Sequence, residues 1–262
     1  MAMPKRILFV VLTCLQANLV LPAEKTADNA ARKTTEKNAD ETADKTIEVF
    51  VALADNKNQG IVPVPEAIGN GDDPEKNLYW GTADGLKGFF DRSRSWKLIE
   101  KDDAPSGDIL RTRTYRHAKA GAVIHARAYR GAAIKECLRD FESAVRLGSH
   151  DLVVFIGHNG LMDFDLPKPT KSREQVKVPD CIVLCCKSEQ YFKTRLSEAG
   201  GRPILLTTQL MYPGAFILGA VAESWLGGAK PAGIRESAGG AYAENQKISR
   251  KAGLGVFAEL KD

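Results

Sequence analysis

The stretch DLVVFIGHNG, residues 151–160, combines an uninterrupted apolar run with a histidine placed between two glycines. A run that is apolar at every position is typical of a central strand in a parallel sheet covered by helices on both faces. The strand is expected to end at Gly157, so His158 would follow directly after its carboxyl end. A second run, DCIVLCC at residues 180–186, has the same character and ends in two adjacent cysteines.

The rest of the chain alternates between short apolar runs and stretches of helical periodicity. Strands are predicted at 47–54, in ILRTRTY (109–115), in AVIHARAY (122–129) and in RPILLTT (202–208). Helices are predicted at 83–90, in GAAIKECLRDFESAVRL (131–147), and at 188–199, 214–226 and 239–252. This order predicts an α/β fold, a three-layer sandwich with a mostly parallel central sheet flanked by helices.

The first residues predict the cellular compartment. Lys5 and Arg6 precede the apolar segment ILFVVLTCLQANLVL, and Pro22-Ala23 offers a small-residue cleavage position. Residues 1–23 are therefore predicted to be a signal peptide, and the protein to be exported, either periplasmic or secreted. No integral membrane span is expected after leader removal. Lipid attachment through Cys14 is an alternative, although the preceding Leu12-Thr13 matches a lipoprotein box poorly.

Residues 24–46 contain almost no large apolar side chains, so they cannot bury enough surface to offset the entropy of ordering. We predict a disordered spacer there and one folded domain at 47–262. The chain of 262 residues has a formal net charge of +4, and the leader accounts for part of it. The near-neutral remainder gives no reason to expect a nucleic-acid partner. GNGDD, at residues 69–73, lacks the following Lys-Ser/Thr of a phosphate-binding loop.

Two strand ends bear groups that could act together. Neighbouring parallel strands would bring His158 and Cys186 to the same edge of the sheet, where functional groups collect. An imidazole can take the proton of a thiol and make it a nucleophile, and can then protonate a departing amine. The alternative is that both residues are structural, with His158 only forming hydrogen bonds and Cys186 only packing in the core. A strained Cys185–Cys186 disulfide is a further alternative.

A zinc site is also conceivable, because one histidine and several cysteines follow these strands. Its ligands would be His158, Cys181, Cys185 and Cys186. The spacing lacks a C-x-x-C pair, and period-2 alternation divides the cysteines between the two faces of a strand. We therefore predict no metal.

The blocks VVFIGHNG and CIVLCCKS resemble the caspase-like cysteine peptidases, a group that includes caspases, metacaspases, legumain-type enzymes, clostripain and gingipains. In that group one hydrophobic block ends in His-Gly and a second ends in a small residue followed by Cys. The resemblance implies an endopeptidase that forms an acyl-enzyme, with Cys186 as the nucleophile and His158 as acid and base. It further implies an oxyanion hole made by backbone N–H groups of Gly160 and Cys186, a peptide or protein substrate, and no cofactor.

Two features depart from the family pattern. Asn159 stands where the family has glycine, so either Gly160 or Asn159 could provide the oxyanion donor. Cys185 next to Cys186 leaves the nucleophile open, although alternation points the two side chains in different directions. These departures sustain a second hypothesis, a catalytically inactive caspase-like domain that binds a peptide or protein partner.

Besides Cys185 and Asn159, other polar residues are candidates for accessory roles or for lining a substrate groove. Asp163 and Asp165, just after GHNGLM, are candidates to orient or neighbour His158, and a solvated loop is the alternative for both. Asp55 and Asn70, the latter in a loop at 69–81, come after the first predicted strand and could line a substrate groove.

Overall fold

The apolar runs of the sequence form a sheet of seven strands in a computed structural model that describes residues 44–261. The strands are β1 (Lys45–Ala52), β2 (Trp96–Asp102), β3 (Ile109–His117), β4 (Ala122–Tyr129), β5 (Leu152–Ile156), β6 (Asp180–Leu184) and β7 (Arg202–Leu205). The helices are α1 (Leu86–Phe90), α2 (Ile134–Leu147), α3 (Ser188–Ala199), α4 (Ala215–Leu226), α5 (Pro231–Gln246) and α6 (Arg250–Gly255). Gly131–Ala133 and Gly160–Met162 are short 3-10 helices.

The strand order across the sheet is β2-β3-β4-β1-β5-β6-β7. From β4 to β7 every neighbouring pair is parallel, whereas β2, β3 and β4 are antiparallel neighbours. The predicted α/β fold with a mostly parallel sheet is confirmed. β5 and β6 are paired directly, with Ile156 opposite Leu184, so the residues that follow them leave the sheet at the same edge.

Strand alternation divides the core into two apolar clusters, one on each face of the sheet. Val49 and Ile182 belong to the cluster under α4 and α5, while Phe50 and Val183 belong to the cluster under α2 and α3. Phe155 is fully buried in the second cluster. Burying a side chain of this size contributes about 1.5–3 kcal/mol to the free energy of folding. Apolar side chains buried in this way on both faces attach the two helical layers to the sheet.

Besides shorter bounds for α1 and β7, the structure departs from the predicted elements at β2 and at α5 and α6. β2 was not predicted, because only Trp96 of this charged edge strand is buried and no apolar alternation marks it. The helix predicted at 239–252 is instead divided between two helices. α5 begins earlier, at Pro231, and ends at Gln246, followed by Lys247 with a φ of 56°. α6 begins after Ser249, whose side chain accepts the Ala252 N–H. A left-handed residue interrupts the helical hydrogen bonds, which explains the break.

The described residues belong to one compact unit. The predicted signal peptide and most of the predicted spacer lie outside them, but Lys45 and Thr46, the end of that spacer, already belong to β1. Within residues 44–261 no helix is both long enough and apolar enough to cross a membrane.

Candidate active site

His158 lies just past the carboxyl end of β5 and is largely buried, with 6% of its surface exposed. Its Nε2 lies 2.8 Å from Oδ2 of Asp163, which comes directly after the 3-10 helix Gly160–Met162. The same carboxylate oxygen accepts the backbone N–H of Gly60 at 2.9 Å. A carboxylate at Nε2 favours the proton on that nitrogen, so in the neutral ring the lone pair is on Nδ1. Asp163 therefore contacts His158 as predicted.

Cys186 lies in the turn between β6 and α3. Lys187, the next residue, has a left-handed backbone with φ 51°, a conformation that side-chain-bearing residues adopt at a cost. The turn is secured by Ser188, whose N–H donates to Thr207 Oγ1 at 3.0 Å and whose hydroxyl donates to the Val183 carbonyl at 2.8 Å. Thr207 in turn donates to the Cys185 carbonyl. Sharp, strained turns of this kind cluster at functional sites.

The two adjacent cysteines have different environments. Cys185 continues the alternation of β6 into the cluster under α2 and α3, where burial raises the pKa of its thiol well above the ordinary value. Cys186 is partly exposed and faces a cleft that also contains His158. All four cysteines of the described chain are free thiols, so Cys185 and Cys186 are not joined by a disulfide.

The cleft has a volume of about 390 Å³ and lies past the carboxyl ends of β1, β5, β6 and β7. Besides His158 and Cys186, its lining residues are Gly60, Ile61, Val62, Val64, Leu78, Tyr79, Gly157, Met162, Leu210, Met211, Tyr212, Pro213, Tyr242 and Gln246. A cavity of this size is within the range of small-ligand and peptide side-chain pockets.

Asn159 connects the histidine turn to the cysteine turn. Its fully buried side chain donates from Nδ2 to the Cys186 carbonyl at 2.7 Å and accepts the Leu161 N–H at 3.2 Å. The neighbouring Gly160 N–H donates to the His158 carbonyl at 3.1 Å. Gly160 is therefore already engaged, which removes it as a free oxyanion donor. The backbone N–H groups of Asn159 and Cys186 have no acceptor within residues 44–261.

The sulfur of Cys186 contacts the backbone of Met211. The thiol donates toward the Met211 carbonyl at 3.7 Å, and the Met211 N–H lies 3.5 Å from Sγ. In the part of the chain described, no hydrogen bond joins Sγ to the His158 ring. An N–H at this distance can donate to a thiolate once the proton has left.

Tyr79 is a further member of the cleft. It is nearly buried, and burial, with a smaller contribution from Cys186, raises the pKa of its phenol. The Tyr79 hydroxyl therefore stays protonated at neutral pH and can only act as a neutral hydrogen-bonding group.

Asp55 and Asn70 are not brought to this cleft. Asp55 accepts the N–H groups of Lys57 and Asn58 at 2.9 and 3.1 Å and so stabilises its own loop. Together with Asn70 and Glu66 it lines a separate polar depression. Asp55 and Asn70, the candidates for lining a substrate groove, therefore lie outside the cleft that contains His158 and Cys186.

The proposed zinc ligands are likewise separated. Cys181 and Cys185 lie inside the cluster under α2 and α3, whereas His158 and Cys186 line the cleft. Across residues 44–261 no group of three or more His, Cys, Asp or Glu side chains is arranged to hold a metal ion.

Sequence reasoning missed most walls of the cleft. Ile61 and Val62 come from the long loop after β1, and Leu210 to Pro213 come from the loop after β7. The available signal was positional, since loops at the carboxyl ends of parallel strands border such sites. No family model, curated protein or solved structure matches this chain.

Proposed function

We propose that this protein is a caspase-like cysteine endopeptidase. The observation that supports the proposal best is that His158 and Cys186, at the ends of the neighbouring parallel strands β5 and β6, line one cleft. The resemblance of VVFIGHNG and CIVLCCKS to that family points to the same two residues. Export of the protein is proposed on the leader sequence alone.

In the proposed reaction, the Cys186 thiol gives its proton to His158 and the sulfur attacks the carbonyl carbon of the scissile peptide bond. The tetrahedral intermediate collapses as His158 passes that proton to the leaving amine, which leaves a thioester on Cys186. Water then attacks the thioester while His158 takes a proton from it and returns one to the sulfur, releasing a carboxylic acid.

Other residues of the cleft support these steps. Asp163 holds the Nε2 side of the ring, so Nδ1 is the nitrogen that exchanges protons with Cys186. The backbone N–H groups of Asn159 and Cys186 are the proposed oxyanion donors, since neither is engaged elsewhere in the described chain. The Met211 N–H, 3.5 Å from Sγ, stabilises the thiolate. Oxyanion donors of this kind are worth about 10²–10³ in rate.

An inactive peptide-binding domain is the second candidate function. It is favoured by the contact of Cys186, whose thiol donates toward the Met211 carbonyl and not to an imidazole nitrogen. Asn159 in place of the family's glycine favours it as well.

Covalent labelling separates the two functions. The full chain is incubated at pH 7 with a panel of irreversible peptidyl acyloxymethyl ketones, and the modified residue is located by mass spectrometry of peptides. The peptidase proposal expects modification of Cys186, loss of labelling in Cys186→Ala and in His158→Ala, and retained labelling in Cys185→Ala. No labelling of the folded protein by any probe, or labelling that survives Cys186→Ala, would favour the binding domain.

A further inference from the structure

The cleft beside Cys186 is electrically neutral apart from its histidine. None of the described residues that line it is Asp, Glu, Lys or Arg. An ionised substrate side chain would thus lose hydration on entering the cleft without gaining a charged partner among these residues, which is unfavourable.

The nearby carboxylates are already paired. Asp163 is shared between His158 and the Gly60 N–H. Asp84 lies behind Tyr212 and accepts the Asn245 side chain at 3.1 Å. Burial, and next the adjoining Asp84 carboxylate, raise the pKa of Tyr212, so the phenol stays a neutral donor to it. Neither carboxylate is among the residues that line the cleft.

Two of the polar side chains that line the cleft each make one hydrogen bond within the protein. The Tyr242 hydroxyl accepts the Tyr212 N–H at 3.1 Å, and the Gln246 side-chain nitrogen donates to Asn245 at 2.7 Å. A substrate asparagine or glutamine would therefore compete with existing hydrogen bonds at the Tyr242 oxygen and the Gln246 nitrogen.

The mouth of the cleft is apolar and exposed. Val62 is 77% exposed, Leu210 60% and Met162 41%, and all three line the same cleft as the cysteine. Exposed apolar side chains gathered around one cavity mark a surface that a ligand covers.

We propose that this cleft binds a large, neutral, apolar side chain of the substrate, such as leucine, methionine or phenylalanine, on the acyl side of the scissile bond. The volume of about 390 Å³ is enough for any of these side chains. This inference rests on the proposed function, because Cys186 defines which bond of the substrate is cut.

The test varies only the residue that enters the cleft. Peptidyl acyloxymethyl ketones of one sequence carry Leu, Phe, Asn, Asp or Arg at the electrophilic carbonyl, and the second-order rate of Cys186 labelling is measured by intact mass. We expect the Leu or Phe probe to react at least ~30-fold faster than the Asp and Arg probes. A preference for Asp, Arg or Asn, or equal rates for all five probes, would overturn the apolar assignment and leave the peptidase proposal standing.

If no probe labels Cys186, the peptidase proposal fails and the cleft is tested by binding alone. Fluorescent, non-reactive peptides that differ only in a Leu, Phe, Asp or Arg residue are titrated with the Cys186→Ala protein. At least ~10-fold tighter binding of the Leu or Phe peptide supports an apolar cleft. Equal affinities, or no binding, would overturn it.

A matched pair of variants assigns the effect to the cleft. Val62→Asp places a carboxylate at the mouth, whereas Val176→Asp makes the same change at a valine that is also 77% exposed but does not line the cleft. Val62→Asp should slow the Leu probe at least ~10-fold and speed the Arg probe, because a carboxylate in the cleft pairs with guanidinium. Val176→Asp should leave both rates unchanged, and equal effects of the two variants would contradict the proposal.

Discussion

The Asn159 side chain donates a 2.7 Å hydrogen bond to the Cys186 carbonyl, and so joins the turn that contains the candidate base to the turn that contains the candidate nucleophile. Both turns follow central strands, but strand pairing ends at Ile156 and Leu184. Beyond that point the relative position of the two side chains depends on contacts such as this one.

Asn159→Ala should therefore lower both stability and reactivity. The variant leaves the Cys186 carbonyl without its donor in a partly buried site, which costs about 1 kcal/mol in the free energy of unfolding. Urea denaturation measures that loss, and the labelling rate of Cys186 should fall with it. Asn159→Asp can accept from Leu161 but cannot donate to Cys186, so it should lose reactivity as well. Full reactivity in Asn159→Asp would show that the hydrogen bond does not position the cysteine.

Asp163→Asn should slow labelling of Cys186 by at least ~10-fold with only a small change in stability. The amide can no longer attract the imidazolium that forms when His158 takes the thiol proton, and it leaves the ring tautomer unspecified. Asp165→Asn is the matched control, since Asp165 is exposed nearby but makes no contact with His158. Equal labelling rates in the two variants, with both folded by circular dichroism, would rule out a positioning role for Asp163.

Gly60→Ala should slow the labelling of Cys186 as Asp163→Asn is expected to, but through a steric clash. A methyl group at this position would meet the Asp163 carboxylate and push it away from the His158 ring. The Gly60 backbone N–H that donates to Asp163 is retained in the variant. Any fall in the labelling rate therefore arises from displacement of the Asp163 carboxylate. The measurement is again the Cys186 labelling rate.

Gly240→Ala is the control for that experiment, because an added methyl group there has no atom within 4 Å. It lies within α5, where alanine should raise the free energy of unfolding by about 0.5–1 kcal/mol and leave labelling unchanged. Labelling of Gly60→Ala at the rate of Gly240→Ala would contradict the steric argument.

Glu48 should make stability depend on pH. The residue is 1% exposed, and burial raises its pKa from 4.5 to about 7 against the opposing attraction of Arg127. Because the folded protein keeps this proton up to about pH 7 while the unfolded chain loses it near pH 4.5, the folded state binds more protons in that interval. The Glu48 contribution to stability therefore falls as the pH rises from about 4.5 through about 7, by up to about 3 kcal/mol.

The difference in unfolding free energy between the wild type and Glu48→Gln isolates this effect. Arg127 and His150 contact Glu48, and His125 is its register neighbour on β4. Burial lowers the pKa of both histidines, so their contributions to the stability of the fold rise with pH. Both histidines are present in the wild type and in Glu48→Gln, so this effect cancels in the comparison. Denaturant titrations at pH 5 and pH 8 should show the wild type losing stability relative to Glu48→Gln. A difference that stays constant between the two pH values would mean that Glu48 is ionised throughout.

Local patterns in the sequence were enough to predict the central elements. VVFI and CIVL are apolar at every position because helices cover both faces of β5 and β6, and the 3.6-residue spacing of Ile134, Cys137, Leu138 and Phe141 marks the buried side of α2. His158 and Cys186 became the candidates for the same reason, since each follows the end of such a strand. The period-2 alternation also separated Cys185 from Cys186.

The walls of the cleft were decided only by the tertiary structure. The Gly60 N–H meets Asp163, and Met211 meets Cys186, across long stretches of chain. Asp55 turns inward, although it also follows a strand. Periodicity encodes which side of a strand or helix is buried, because that depends on near neighbours along the chain. The path of a loop depends on contacts with distant segments, so the amino-acid sequence alone determined the strand ends and folding determined what surrounds them.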